Sequence, residues 1–150
     1  MKKLVSAITL IALLLTAVLP MAANAGASEA FTDVIPGKWY CKAIDYCVER
    51  GIMSGTSATT FEPDASLTRA MFVTMLAAYD GAEVKEYRQT SPFDDVPAGK
   101  WYTDAAIWAY YAGIEQGANG KFAQNTPCTR EAMVLYLYRV LTGNQLLPVN

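Results

Sequence analysis

Between Tyr40 and Val48 the apolar side chains of Tyr40, Ala43, Ile44, Cys47 and Val48 recur at i, i+3, i+4, i+7 and i+8, while Lys42, Asp45 and Glu49 gather on the opposite side. That spacing lays one apolar stripe along a helix of 3.6 residues per turn and predicts an amphipathic helix. Gly51 can take the left-handed backbone that ends it, with Ile52 folding back on the last turn as in a Schellman cap. A polar loop, SGTSATTFEPDAS, leads to a second helix. Thr68 is placed to cap it, with Leu67 and Phe72 at the spacing of a hydrophobic staple. Phe72, Met75, Leu76 and Tyr79 continue the predicted stripe, and Gly81 closes it.

The same pattern then runs a second time. FTDVIPGKWY at 31–40 returns as FDDVPAGKWY at 93–102, an offset of 62 that holds through Gly55 and Gly117 and becomes 61 from Phe61 and Phe122 onward. The second unit has Thr129 as its cap, Cys128 and Met133 as staple, Met133, Leu137, Val140 and Leu141 as stripe, and Gly143 as stop. The expectation is an all-α protein of tandem helix-loop-helix repeats, at 26–81 and 93–143, each needing a neighbour to cover its apolar face. Residues 82–92, including EVKEYRQTSP, read as a polar linker, and 144–150 as a tail. In the first helix of unit two, Ile107, Trp108 and Tyr111 replace Asp45, Tyr46 and Glu49. A helix apolar nearly all round is expected to be buried on more than one side, against unit one, a second copy or another protein.

Residues 1–25 stand apart. Lys2 and Lys3 precede an apolar run from Leu4 to Leu19, then Pro20 and Ala23-Asn24-Ala25. This is the pattern of a secretory signal peptide cleaved after Ala25. Without Lys2 and Lys3 the chain keeps 10 basic against 14 acidic residues, a balance unsuited to wrapping nucleic acid. No second stretch is long enough to span a membrane. There is no His, no metal-ligand spacing and no cofactor motif. Cys41 and Cys47 would lie about 9 Å apart along one helix, too far to bridge. The three cysteines read as small buried apolar groups, with a pairing of Cys128 to either of the others left open.

In the first unit the positions that carry a recognisable pattern are Phe31, Asp33, Val34, Trp39, Tyr40, Ala43, Ile44, Gly51, Ile52, Gly55, Phe61, Pro63, Thr68, Arg69 and Ala70. In the second unit they are Phe93, Asp95, Val96, Trp101, Tyr102, Gly113, Ile114, Gly117, Phe122, Thr129 and Arg130. In this order they resemble the S-layer homology domain, over essentially the whole chain after residue 25. The resemblance implies non-covalent anchoring to the bacterial cell wall, or its S-layer, by binding a secondary cell-wall polysaccharide, typically pyruvylated and linked to peptidoglycan. It also implies three units packed as a pseudo-threefold helical prism with ligand grooves between them. The glycan-binding positions it carries over are Arg69, Arg130, Trp39, Trp101, Gly55, Gly117, Thr68 and Thr129. The chain departs from the pattern where Met71 and Ala132 replace the Glu of the T-R-A-E helix start, and eight residues follow Thr142, too few for a third unit. Another S-layer homology protein, or a homo-oligomer, would have to supply it.

Each position also has a plainer reading. Arg69 and Arg130 fall just inside a helix N-terminus, where the macrodipole disfavours a cation, so something must compensate. A pyruvyl carboxylate would serve, using guanidinium and helix-start N–H groups together. So would an internal clamp to Asp33 or Asp95. Trp39 and Trp101 can stack a sugar face or pack a core. Gly55 and Gly117 permit close approach of a glycan or simply make a turn. Asp33 and Asp95 read as loop hydrogen bonders.

Two functions follow: a glycan-binding anchor, or an interaction subunit that pairs with S-layer homology repeats and binds no polymer. An enzymatic reading through Asp94, Asp95 or Glu115 is disfavoured, since the acids lie in a repeated loop phrase and Thr32 stands opposite Asp94.

Overall fold

A computed structural model describes residues 26–87 and 90–143; residues 1–25, where a signal peptide is expected, together with residues 88–89 and 144–150, lie outside the described residues. The protein is all-α, with four α-helices among the described residues: α1 (Cys41–Glu49), α2 (Arg69–Asp80), α3 (Thr103–Tyr111) and α4 (Arg130–Leu141). Short 3-10 turns at Ala27–Ala30 and Val84–Tyr87 precede the first helix of each unit. Among the described residues there is no strand, only isolated bridges such as Thr68 to Pro127.

The helix ends form as their residues dictate. Gly51, at φ +66°, lets its N–H reach Val48 at 3.0 Å and that of Ile52 reach Cys47 at 2.8 Å, the two bonds of a Schellman motif. Gly113 and Ile114 repeat this with Tyr110 and Ala109 at 2.9 and 2.7 Å. The Thr68 hydroxyl accepts from the Met71 N–H at 3.3 Å and that of Thr129 from Ala132 at 3.2 Å, so both caps stand without the Glu of a capping box.

The packing joins the two units, in keeping with repeats that each need a neighbour to cover an apolar face. α2, the second helix of unit one, packs on α3, the first helix of unit two, and also against α4. One core therefore joins Phe72, Val73, Leu76 and Ala77 of α2 to Phe93, Ala106, Trp108, Ala109, Phe122 and Tyr136 of unit two. α1 is left to a small separate cluster of Phe31, Val34 and Ile44, flanked by Tyr40, Val48 and Phe61, and rests on the Ala27–Ala30 turn. As expected, α3 is buried nearly all round, at Thr103 and from Ala105 through Ala109, though Tyr111 at its end is exposed.

Four stripe residues are corrected. Ala43 is exposed, as is Tyr79, because none of the described residues covers those faces of α1 and α2. Leu137 and Leu141 are exposed on α4, where the buried residue is Tyr136. The polar linker is also partly structural: Ala82, Val84 and Tyr87 lie against the main core, and their turn packs on α3. The three cysteines are free; Cys41 donates to the Ile35 carbonyl at 3.3 Å, and burial pushes the Cys128 thiol up.

Candidate functional site at the junction of the units

The loop of unit two closes onto the start of α2. The Arg69 and Ala70 N–H groups donate to the carbonyls of Thr126 (2.8 Å) and Gln124 (3.1 Å), and the Cys128 N–H donates to Leu67 at 2.8 Å. These carbonyls satisfy helix-start N–H groups that would otherwise need solvent or a ligand. The Arg69 guanidinium donates to the Phe122 carbonyl at 2.5 Å and lies 3.8 Å from Glu115 Oε2. Glu115 is fixed in turn by the Gly117 N–H at 2.5 Å and by the Tyr136 hydroxyl.

Carbonyl dipoles and one carboxylate are thus what offset the charge of Arg69 at the helix start. The clamp is real, but its partners are Phe122 and Glu115 of the other unit, not Asp33 or Asp95. Those two acids are engaged in their own loops. Asp33 accepts from Phe61 at 2.9 Å and Glu62 at 2.7 Å, and Asp95 from Phe122 and Ala123, both at 2.8 Å. They hold Glu62 and Ala123, equivalent residues at φ +57° and +56°, in a left-handed conformation that side chains disfavour. The Phe61 and Glu62 N–H groups keep the Asp33 carboxyl below its ordinary value.

Arg130 differs from its repeat partner. It is exposed, and no group among the described residues pairs with it. Trp39 and Trp101 are 89% and 63% exposed, each ring held edge-on by the next residue, Tyr40 at 5.5 Å and Tyr102 at 5.2 Å. Neither serves as core. Thr68 and Thr129 direct their hydroxyls at their own helices as caps. Gly55 and Gly117 are closed in: an added Cβ would come within 2.5 Å of Phe31 and of the Thr60 carbonyl in the first case, and 2.5 Å from the Lys121 carbonyl in the second.

Beside the junction lies an open cavity of about 360 Å³ lined by Asp95, Ala123, Gln124, Asn125 and Thr126. Gln124 Oε1 is buried there without a hydrogen-bond partner. Sequence reasoning missed Gln124, since Pro63 is its repeat counterpart and no repeated motif marks it. Among the described residues no group of three metal-ligating side chains converges, and no helix is long and apolar enough to cross a membrane.

Residues 30–71 and 92–134 match the S-layer homology domain, more than half of the chain. The chain belongs to the S-layer homology family. It is similar to an endoglucanase of Bacillus sp. (strain KSM-635), 37% identical over 98% of this chain and 16% of the relative. It is similar to endo-1,4-beta-xylanase A of Thermoanaerobacterium saccharolyticum, 36% identical over 67% of this chain and 9% of the relative. An S-layer protein of Bacillus thuringiensis subsp. finitimus is 31% identical over 91% of this chain and 16% of its own length. The chain therefore spans a small fraction of each relative. Two of these names are those of enzymes; of the three acids weighed for catalysis here, Asp95 and Glu115 accept from loop N–H groups and the Tyr136 hydroxyl, and Asp94 is exposed.

Proposed function

We propose that this S-layer homology chain is a non-catalytic anchor at the bacterial cell surface, holding to the wall non-covalently through an acidic secondary polysaccharide. The observation that carries the reading is the pair of exposed indoles, Trp39 and Trp101, standing at equivalent places in the two units. A large flat ring left in water on a rigid element offers stacking area for a sugar face with little flexibility to lose. Arg130, unpaired among the described residues at the start of α4, suits a pyruvyl carboxylate, because the helix-start N–H groups beside it add to its charge. Arg69 then shapes the junction, Thr68 and Thr129 cap their own helices, and Gly55 and Gly117 close their own loops, rather than touching the polymer.

The test is sedimentation of the purified chain with bacterial wall sacs. Co-sedimentation, abolished by stripping the secondary polymer and lost in a Trp39→Ala/Trp101→Ala variant that melts like the parent, is expected. Equal binding to stripped sacs, or undiminished binding by the variant, would overturn the reading.

A second reading is favoured by a different observation: α1 and α4 each leave an apolar face open at opposite ends of the repeat order, as Ala43, Tyr46, Val134 and Leu137 show. Such faces suit a further S-layer homology unit, completing a three-unit prism or a longer ring.

A further inference from the structure

The two open faces are the two halves of an interface that the chain already makes once with itself. α2 and α4 are equivalent helices at an offset of 61, and Val73 and Leu76, 0% and 1% exposed where α2 meets α3, correspond to Val134 and Leu137, which are 67% and 37% exposed. α1 and α3 are likewise equivalent at an offset of 62. Each packs on its own preceding 3-10 turn, but α3 has α2 as well. The positions buried in α3 and opened in α1 therefore mark the face that α2 covers. Ala105 and Trp108 are 4% and 3% exposed; their counterparts are the exposed Ala43 and Tyr46, and fully buried Ala109 becomes the half-buried Cys47. Positions i, i+3 and i+4 form one continuous patch on a helix.

The polar contacts repeat too. Arg69 and Ala70 donate across the junction to Thr126 and Gln124, and the Arg69 guanidinium to Phe122. Their equivalents on the open end are the N–H groups of Arg130 and Glu131 and the free guanidinium of Arg130. The equivalent acceptors on the other end are the carbonyls of Ala65, Pro63 and Phe61. Among the described residues no hydrogen bond engages those donors or reaches those carbonyls.

Resting on the second reading above, we propose that the occupant is a second copy of this chain: α4 of one copy packs on α1 of the next, with Val134 and Leu137 against Ala43, Tyr46 and Cys47, and Arg130 donating to the Phe61 carbonyl of the neighbour. The contact is heterologous, so two copies close into a four-unit ring if the rotation permits and otherwise extend head to tail. Two departures make the intermolecular junction the weaker one. Met53 stands where Glu115 would support the arginine, and Glu131 stands where Ala70 is buried. The Arg50 guanidinium, 4.3 Å over the Tyr46 ring, lies at the edge of the patch.

The experiment is sedimentation velocity on residues 26–150 at about 1 to 100 µM, a range that spans weak to moderate association, with no glycan present. The parent is expected to reach the mass of two chains or more. Val134→Glu removes the α4 half and Ala43→Glu the α1 half; both positions are exposed, so each variant is expected to melt like the parent and to run as a single chain. Mixed in equal amounts they retain one intact half each, and the mixture is expected to form a particle of two chains and no larger. Should Val134→Glu melt early, Leu137→Lys replaces it. A parent that stays single at the highest concentration, a variant that still pairs alone, or a mixture that does not combine would each overturn the proposal. A parent that stays single but is captured by an immobilised S-layer homology protein overturns the second copy as occupant while keeping the second reading.

Discussion

The Arg69 guanidinium holds the Phe122 carbonyl at 2.5 Å, so a side chain of unit one pins the backbone of unit two at the foot of the shared core. Arg130, its repeat counterpart, holds nothing among the described residues. Arg69→Ala would strand a carbonyl in a partly buried site and unpair Glu115, at a cost of about 1–3 kcal/mol. Arg130→Ala is expected to stay within about 0.5 kcal/mol of the parent, as surface substitutions do. Urea unfolding of both variants checks the contrast. Equal stability losses would mean that the junction bond contributes nothing.

The same asymmetry extends to the core. Leu76 is fully buried between the units, so Leu76→Ala removes buried methyl groups and leaves a cavity, costing about 2–5 kcal/mol. Leu137→Ala, at the equivalent position of α4, should cost less than about 1 kcal/mol under conditions where the chain is a single copy. Thermal melting of the two variants at low protein concentration measures the difference.

Helix existence, caps and the repeat were legible in the sequence because they rest on local rules. Thr68, Thr129, Gly51 and Gly113 do what their residue types do at those spacings. What was not legible was which helix pairs with which. The apolar pattern of Phe72 and Leu76 states that a face is buried but not that its cover is α3 rather than α1, and Tyr79 fits the period while facing water. Leu137 and Leu141 fit it as well, because the sequence retains apolar residues on a face that the described structure leaves open. At the site, the electrostatic puzzle of a cation at a helix start was visible. Its solution was not, since Phe122 and Glu115 lie 53 and 46 residues further along the chain.

Gly55 and Gly117 separate a packing role from a ligand-approach role. A methyl group at Gly55 would collide with the Phe31 ring and two backbone oxygens, and Gly117 adds a φ of +69° that Ala resists. Gly55→Ala and Gly117→Ala are therefore expected to destabilise the fold by about 1–3 kcal/mol through overpacking. The check is a melt of each variant in the absence of any polymer. Parent-like stability combined with lost wall binding would move both glycines to the ligand.

Acid should loosen unit one first. Asp33 is held below the ordinary carboxylate value by the Phe61 and Glu62 N–H groups, and Asp45 by the Ser28 hydroxyl and N–H. A carboxyl depressed in the folded state contributes stability that is fully present above its unfolded value and is lost as pH falls through the lower, folded one. The loss therefore falls below about pH 4, the ordinary range for such groups. It strikes the loop at Phe61–Glu62 and the turn at Ala27–Ala30, both belonging to the smaller core around Ile44. Hydrogen exchange followed from pH 6 downward, with rates normalised to the intrinsic values, is expected to show the Phe61, Glu62 and Ser28 amides losing protection before those of α2 and α3. Asp33→Asn keeps an acceptor but no charge, so it should weaken protection at Phe61 and Glu62 at neutral pH and flatten its pH dependence. Simultaneous loss of protection across both cores would show that the small cluster does not open on its own.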